Sequence, residues 1–295
     1  MAGFETLIDV PLGTGEGPAW DAASGALWFI DIAAPALFRL DPATRALQRF
    51  DMPATIGSFG LCPDGRAVVA LRTGVHLFDP ATGAFTFLAH PEAHRPENRL
   101  NDGKVGPDGC FYVGSMDDRP QKQPVAALYR VDPEGRSERI CEGLIVSNGL
   151  AWSADGRTMF HSDSRGRFLQ AFDFDPGTGA VSNRRHLREF TEEEGRPDGG
   201  AGDAEGLYWS AGVSAGCLNR IAPDGTIVQR IDLPVLAPTM PCFGGSDMKT
   251  LFVTSLSAER DGRRQAGTLI SLRVDVQGTP VARFGEPLRL PEGRQ

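Results

Sequence analysis

A short strand opening that carries glycine recurs six times along this chain at nearly even spacing, and few architectures are compatible with that. The positions are Glu16-Gly17, Phe59-Gly60, Asp102-Gly103, Asn148-Gly149, Asp198-Gly199 and, more loosely, Cys242-Phe243-Gly244, at steps of 43, 43, 46, 50 and 44 residues. A period of roughly 40–45 residues built from short strands marks a β-propeller with one four-stranded blade per repeat. Equivalent positions in successive blades share a depth and a radius, so a recurring position becomes a ring around the channel. Glu16, Asp102, Asn148 and Asp198 occupy the place before the glycine. The expectation is therefore an all-β, six-bladed β-propeller with a central metal site built from oxygen donors.

Each repeat divides in the same way. An innermost strand follows the ring position, then a turn such as Pro63-Asp64-Gly65, Pro107-Asp108-Gly109 or Ala154-Asp155-Gly156. Such turns supply the backbone angles a hairpin requires. The second strand is strongly apolar, as in Ala26–Ile30, Ala67–Leu71 and Thr250–Thr254. The third strand stops at Asp-Pro in four repeats (Asp41, Asp79, Asp132 and Asp175), because proline lacks an N–H and restricts its predecessor. A fourth strand, such as Leu47–Phe50, closes the blade. No stretch sustains helical periodicity, and Thr191–Glu194 amounts to one helical turn in a loop. Residues 1–295 read as one propeller domain without a linker. A leftover N-terminal strand near Phe4–Val10 completes the last blade beside strands near Thr268–Val274 and Arg283–Leu290, which removes exposed sheet edges.

Bulk properties narrow the function. With 41% apolar and 23% charged residues the chain can bury a sizeable core. A formal net charge of −8 excludes a nucleic-acid surface, which needs a basic face. The one basic run, Arg184-Arg185-His186, reads as a solvated strand edge. No segment approaches the ~18 apolar residues of a membrane span, and the N-terminus has neither the basic nor the apolar region of an export signal. The five cysteines are odd in number and form no C-x-x-C pair, so they read as core residues of a reducing compartment. These features point to a cytoplasmic protein, a monomer or weak homo-oligomer, whose partner is a small molecule.

The ring residues must be weighed against turn chemistry. Pro197-Asp198-Gly199 has the form of a turn, yet the turn of that blade comes at Asp203–Gly206. Asn148-Gly149 has the form of a hairpin, yet Asp155-Gly156 supplies that turn. Glu16 between two glycines has no turn role. Carboxylate and amide oxygens without histidine or thiolate suit hard divalent cations such as calcium, magnesium or manganese. Three protein ligands leave positions open for water and substrate. His161-Ser162-Asp163-Ser164 reads instead as structural, with Asp163 matching Asp31 in hydrogen-bonding strand ends. Neither Ser147 nor Ser164 shows a Ser-His-Asp pattern, and G-x-S-x-G is absent.

At Arg99-Leu100-Asn101-Asp102-Gly103-Lys104 the chain resembles the regucalcin/gluconolactonase family, which includes senescence marker protein and luciferin-regenerating enzyme. Gly15–Trp20, Ser147–Trp152, Arg196–Gly199 and Cys242–Gly245 carry the same resemblance in the same order over essentially the whole chain. It implies one divalent cation (calcium, zinc, manganese or magnesium) bound by Glu16, Asn148 and Asp198. It implies substrate contacts from Arg99 and Asn101, with Met116 lining the pocket. The family's acidic contact just after the methionine is assigned to Asp118, with Asp117 beside it and Arg119 at the closest matching place. The ring register points to Asp102 where the resemblance points to Asn101.

The implied activity is metal-dependent hydrolysis of a sugar acid lactone, an aldonolactone, with Asp198 as general base. Two alternatives use the same site: an esterase or phosphotriesterase, and a calcium-binding propeller without catalysis.

Overall fold

The computed structural model describes residues 3–290. Six four-stranded antiparallel sheets follow one another as the blades of a propeller, and a small hairpin (Ala258–Arg260 with Arg263–Gln265) projects from the last. The innermost strands are Gly15–Asp21, Ile56–Leu61, Asn98–Val105, Ser147–Trp152, Pro197–Gly202 and Pro238–Gly244. Among the described residues no helix is long and apolar enough to cross a membrane.

The apolar second strands explain themselves once the blades are stacked. Ala26–Asp31, Ala67–Leu71 and Phe111–Asp117 are buried at every position, since both faces of a blade press on a neighbour. The outer strands, such as Leu47–Asp51, are largely exposed and carry the charged residues. The core is thus a set of wedges between blades. Val68, Val75 and Cys62 of blade 2 meet Phe111, Val113 and Tyr129 of blade 3. Leu27, Phe29 and Phe38 of blade 1 meet Phe252 and Leu269 of blade 6 and close the ring. Burying each large apolar side chain contributes about 1.5–3 kcal/mol.

Phe4–Thr6 pairs antiparallel with Leu269–Arg273 and forms the outermost strand of blade 6. Arg283–Leu290 does not join that blade. It runs beneath blades 2 and 3, donating from Phe284 N to Leu61 O, Gly285 N to Gly109 O and Leu288 N to Pro107 O. Its spaced apolar residues mimic a strand in sequence, but Pro287 within it, and Pro280 just before it, cannot donate to a ladder.

Two devices shape the channel end. Every innermost strand breaks register against its partner, between Glu16 and Ala19, Leu100 and Gly103, Asn148 and Ala151, and Pro197 and Gly200, and likewise in blades 2 and 6. Such bulges bend a strand and re-aim its side chains. The second device is an aspartate ending a second strand. Asp31 accepts from the N–H groups of Gly13, Thr14, Ala33 and Ala34. Asp163 likewise accepts from Ile145, Val146, Arg165 and Gly166, in the role the sequence assigns it. Asp117 does the same for Arg119 and Gln123. These carboxylates fix the loops from which the site's rim is built.

Candidate active site

The bulges bring Glu16, Asn101, Asn148 and Asp198 from four innermost strands to one cavity of about 180 Å³, whose wall also holds Arg99 and Met116. The Asn148 amide donates from Nδ2 to Asp198 Oδ1 at 2.7 Å and to Ser164 Oγ at 2.7 Å. Asn101 Nδ2 reaches Asn148 Oδ1 at 3.4 Å and Ser147 O at 3.0 Å. The headgroups expected to act together are therefore neighbours. Gly149, with φ of 66°, is part of the reason. A Cβ there would lie 2.3 Å from Ser162 Oγ and Tyr208 Oη and 2.9 Å from Asp198 O. Only glycine lets the Asn148 and Asp198 strands approach this closely.

Electrostatics mark the same place. Burial pushes the Glu16 carboxyl well above its usual range, and the charges of Asp198 and then Asp102 push it further. Asp198 is raised to about 7, again by burial first, with Asp102 adding and the Arg196 guanidinium opposing. Two buried carboxyls that repel each other across a small cavity are a site for a cation. Among the described residues no three His, Cys, Asp or Glu side chains cluster as ligands, because the third oxygen donor here is an amide. An amide turned about its last bond offers oxygen in place of nitrogen, so Asn148 can serve with Glu16 and Asp198. The set fits a hard divalent ion.

Asp102 is not on the cavity wall. Its carboxylate accepts from Leu150 N at 3.3 Å, and burial raises its pKa against the opposing Lys104 charge. The bulge between Leu100 and Gly103 places two residues where a regular strand has one. Counting from the glycine therefore slips by one, and Asn101 is the residue that faces in.

Asp118 also departs from expectation, since it does not line the cavity. It receives Arg72 at 2.6 Å and Arg99 Nε at 3.5 Å. It holds Arg99, whose Nη1 donates to Asn101 Oδ1 at 2.9 Å and Leu100 O at 3.0 Å. Arg119 turns away and pairs with the buried Asp117 at 2.9 Å. That hydrogen bond and charge hold Asp117 well below the usual carboxylate range.

Three cationic wall residues were given no role in sequence, although Arg196 stands in the Arg196–Gly199 motif: Lys122, Arg165 and Arg196. They come from loops and blade edges that carry no repeat signal. Ser164 was set aside in sequence, yet its hydroxyl accepts from Asn148 and donates to Asp198 at 3.4 Å. Ser147 does meet a histidine, with its Oγ 2.7 Å from His161 Nε2, but the ring's other nitrogen meets the amide of Gln170 at 2.9 Å. Burial drives His161 down to about 3, so the ring is neutral, and Ser147 has no exposure at all. This is a core network without a carboxylate and not a nucleophilic pair.

A second cavity of about 260 Å³ opens at the other end of the channel between Trp20, Phe59, Trp152 and Phe243, with Arg283–Leu290 alongside. It is mainly apolar, with Lys104, Arg283 and Arg289 also on its wall, and contains none of the four headgroups.

Residues 14–257 match the SMP-30/Gluconolactonase/LRE-like region. The chain belongs to that family. A 6-deoxy-6-sulfogluconolactonase of Pseudomonas putida is 37% identical over 281 residues, covering 93% of this chain and 96% of that one. Regucalcin of Xenopus laevis is 35% identical, covering 85% of this chain and 86% of its own. Among solved structures, a regucalcin of Agrobacterium tumefaciens described as a calcium-binding protein superposes with a TM-score of 0.88 at 28% identity, over 96% of this chain and 97% of that one. The family's propeller is the fold found here.

Proposed function

We propose that this family member hydrolyses a sugar acid lactone with the help of one divalent cation held by Glu16, Asn148 and Asp198. The observation that carries the reading is the meeting of those headgroups, from three separate blades, in a cavity edged by Arg99 and Asn101. Relatives named as a sulfogluconolactonase and as regucalcin support the substrate class and the metal respectively. Calcium is the first candidate, given the description of the Agrobacterium protein. A bound divalent cation supplies Lewis-acid polarisation of the lactone carbonyl and lowers the pKa of water beside it.

The chain's own groups supply the rest. Asp198 Oδ1 accepts from Asn148 Nδ2 and Ser164 Oγ, and once the Asn148 amide turns to offer its oxygen to the cation, Oδ1 is free to do the same. The second carboxylate oxygen is unengaged by hydrogen bonds among the described residues. That oxygen takes the proton of the attacking water as a general base and returns it to the ring oxygen as the acyl–oxygen bond of the lactone breaks. The rise of its pKa to about 7 applies without the cation; a divalent charge beside it favours the carboxylate form that accepts the proton. Arg99, fixed by Asp118 and Leu100 O, presents its remaining donors to the oxygen on which charge develops. Asn101 orients ring hydroxyls, and Met116, 7% exposed, forms an apolar wall that limits water. Asp118 is a positioning residue acting through Arg99.

The test is a panel of gluconolactone, xylonolactone and an aryl phosphotriester, assayed by acid release with and without chelator against the spontaneous blank. Metal-dependent turnover of a lactone is expected. Turnover of the phosphotriester alone would move the reaction class, and metal binding without any turnover would remove the enzymatic reading.

A further inference from the structure

Positive charge is concentrated at one edge of the cavity. Four cationic side chains, Arg99, Lys122, Arg165 and Arg196, line it against the two carboxylates Glu16 and Asp198, in a chain of net charge −8. They come from different places: the innermost strand of blade 3, the loop after its second strand, the turn after the second strand of blade 4, and the entry to blade 5. Their convergence is a property of the fold and not of a basic run in sequence.

Three of the four make no ion pair among the described residues, although Asp198 is the carboxylate whose charge Arg196 feels most. Arg99 has Asp118 at 3.5 Å. Among the described residues no carboxylate lies within ion-pair distance of Lys122, Arg165 or Arg196. The Lys122 ammonium donates to the backbone carbonyls of Asp117 and Arg119. Among the described residues the Arg165 and Arg196 guanidiniums donate no hydrogen bond. Elsewhere the arginines are commonly paired, and Arg167, two residues from Arg165, meets Glu192 at 2.6 Å. The cations are also close enough to feel each other. Burial holds Lys122 below its ordinary range, and the charges of Arg99 and Arg165 push the same way against Asp118.

Unpaired guanidinium and ammonium groups beside a cavity seek an oxyanion, which arginine binds through parallel donors. The carboxylates at the cavity floor cannot answer that need if they hold a cation and accept a proton. Resting on the lactonase reading above, we infer that the substrate is a lactone carrying a second, anionic substituent away from its carbonyl, held by Lys122 and Arg165 with Arg196 behind them. The substituent is a phosphate, sulfonate or carboxylate, whose shared chemistry is a delocalised negative charge on oxygen. The site is then two-ended: a carboxylate and amide floor for the cation and the reacting carbonyl, and a cationic edge for the charged tail.

The experiment compares kcat/KM for gluconolactone with that for its 6-phosphorylated, 6-sulfonated and 6-carboxylated counterparts. Wild type is set beside Lys122→Ala, Arg165→Ala and the double variant, with melting temperatures as a control for folding. At least one charged lactone is expected to exceed the neutral one by about tenfold or more, since charge-assisted hydrogen bonds reach that size. Each single variant lowers the charged-to-neutral ratio by about tenfold, Arg165→Lys restores part of it, and added salt erodes it. Equal turnover of neutral and charged lactones, or an advantage that survives the double variant, overturns the inference while leaving lactonase activity intact. If no lactone is turned over, calorimetry with 6-phosphogluconate against gluconate reads the subsite directly. Tighter binding of the first, lost in the double variant, supports the anion site although the lactonase reading has failed; equal binding overturns both.

Discussion

Asp198→Asn separates the charge of the candidate base from its shape. The amide oxygen of the variant still accepts from Asn148 Nδ2, the 2.7 Å hydrogen bond of the wild type, so packing is conserved. The charge is lost. In the native protein burial raises the Asp198 carboxyl from 3.8 to about 7. Between those two values the native state holds a proton that the unfolded chain has released. Unfolding free energy therefore falls as pH rises from about 4 to about 7 and stays low above it. The displacement corresponds to on the order of 4 kcal/mol. In chelator, the variant should escape this loss: it should be more stable than wild type at pH 8 by a few kcal/mol relative to their difference at pH 4. Denaturant unfolding at the two pH values, with chelator throughout, measures it. A variant whose advantage over wild type is the same at both pH values would refute the claim that Asp198 is a buried, uncompensated carboxyl. The same substitution should abolish lactone turnover, because the acceptor for the water proton is gone.

Other outcomes follow from the same geometry. Glu16→Ala should lower kcat/KM by about two orders of magnitude or more and weaken divalent-ion binding in calorimetry, since one of two carboxylate donors is removed. A divalent cation at about one hundred times its Kd should stabilise the native state by about 2.7 kcal/mol, read as a melting temperature several degrees higher than in chelator; Asp198→Ala should not respond. Gly149→Ala should cost about 2–4 kcal/mol, because its Cβ would sit 2.3 Å from Ser162 Oγ at a φ of 66°; urea unfolding reports it, and an unchanged midpoint would contradict the close approach of the two strands.

The blades were legible because hydrophobic patterning and Asp-Gly turns repeat with the architecture: Ala67–Leu71 was read with the bounds the strand has, and Thr250–Thr254 one residue short. That Glu16, Asn148 and Asp198 converge on one cavity was legible for the same reason: a periodic position in sequence is a ring in space. Asp102 was misplaced because the bulge of blade 3 lies ahead of its glycine, between Leu100 and Gly103, whereas in blades 1 and 4 it follows the ring residue and contains the glycine. Asp118 looked like a contact because sequence gives adjacency but not direction, and the structure spends its carboxylate on Arg72 and Arg99. The convergence of Lys122, Arg165 and Arg196 was invisible because each belongs to a different loop with no shared spacing, even though Arg196 itself stands in a quoted motif. Arg283–Leu290 was read as a strand on its apolar spacing, and the prolines within and just before it decided otherwise.

A crystal structure of the metal-loaded protein, with the ion located by its anomalous scattering, bears most directly on the account. The expected result is one ion at the channel end with oxygens of Glu16, Asn148 and Asp198 all in its first coordination sphere, at about 2.3–2.6 Å for calcium. An ion bound elsewhere, or one that leaves any of these three residues out of contact while the enzyme remains fully active, would contradict it.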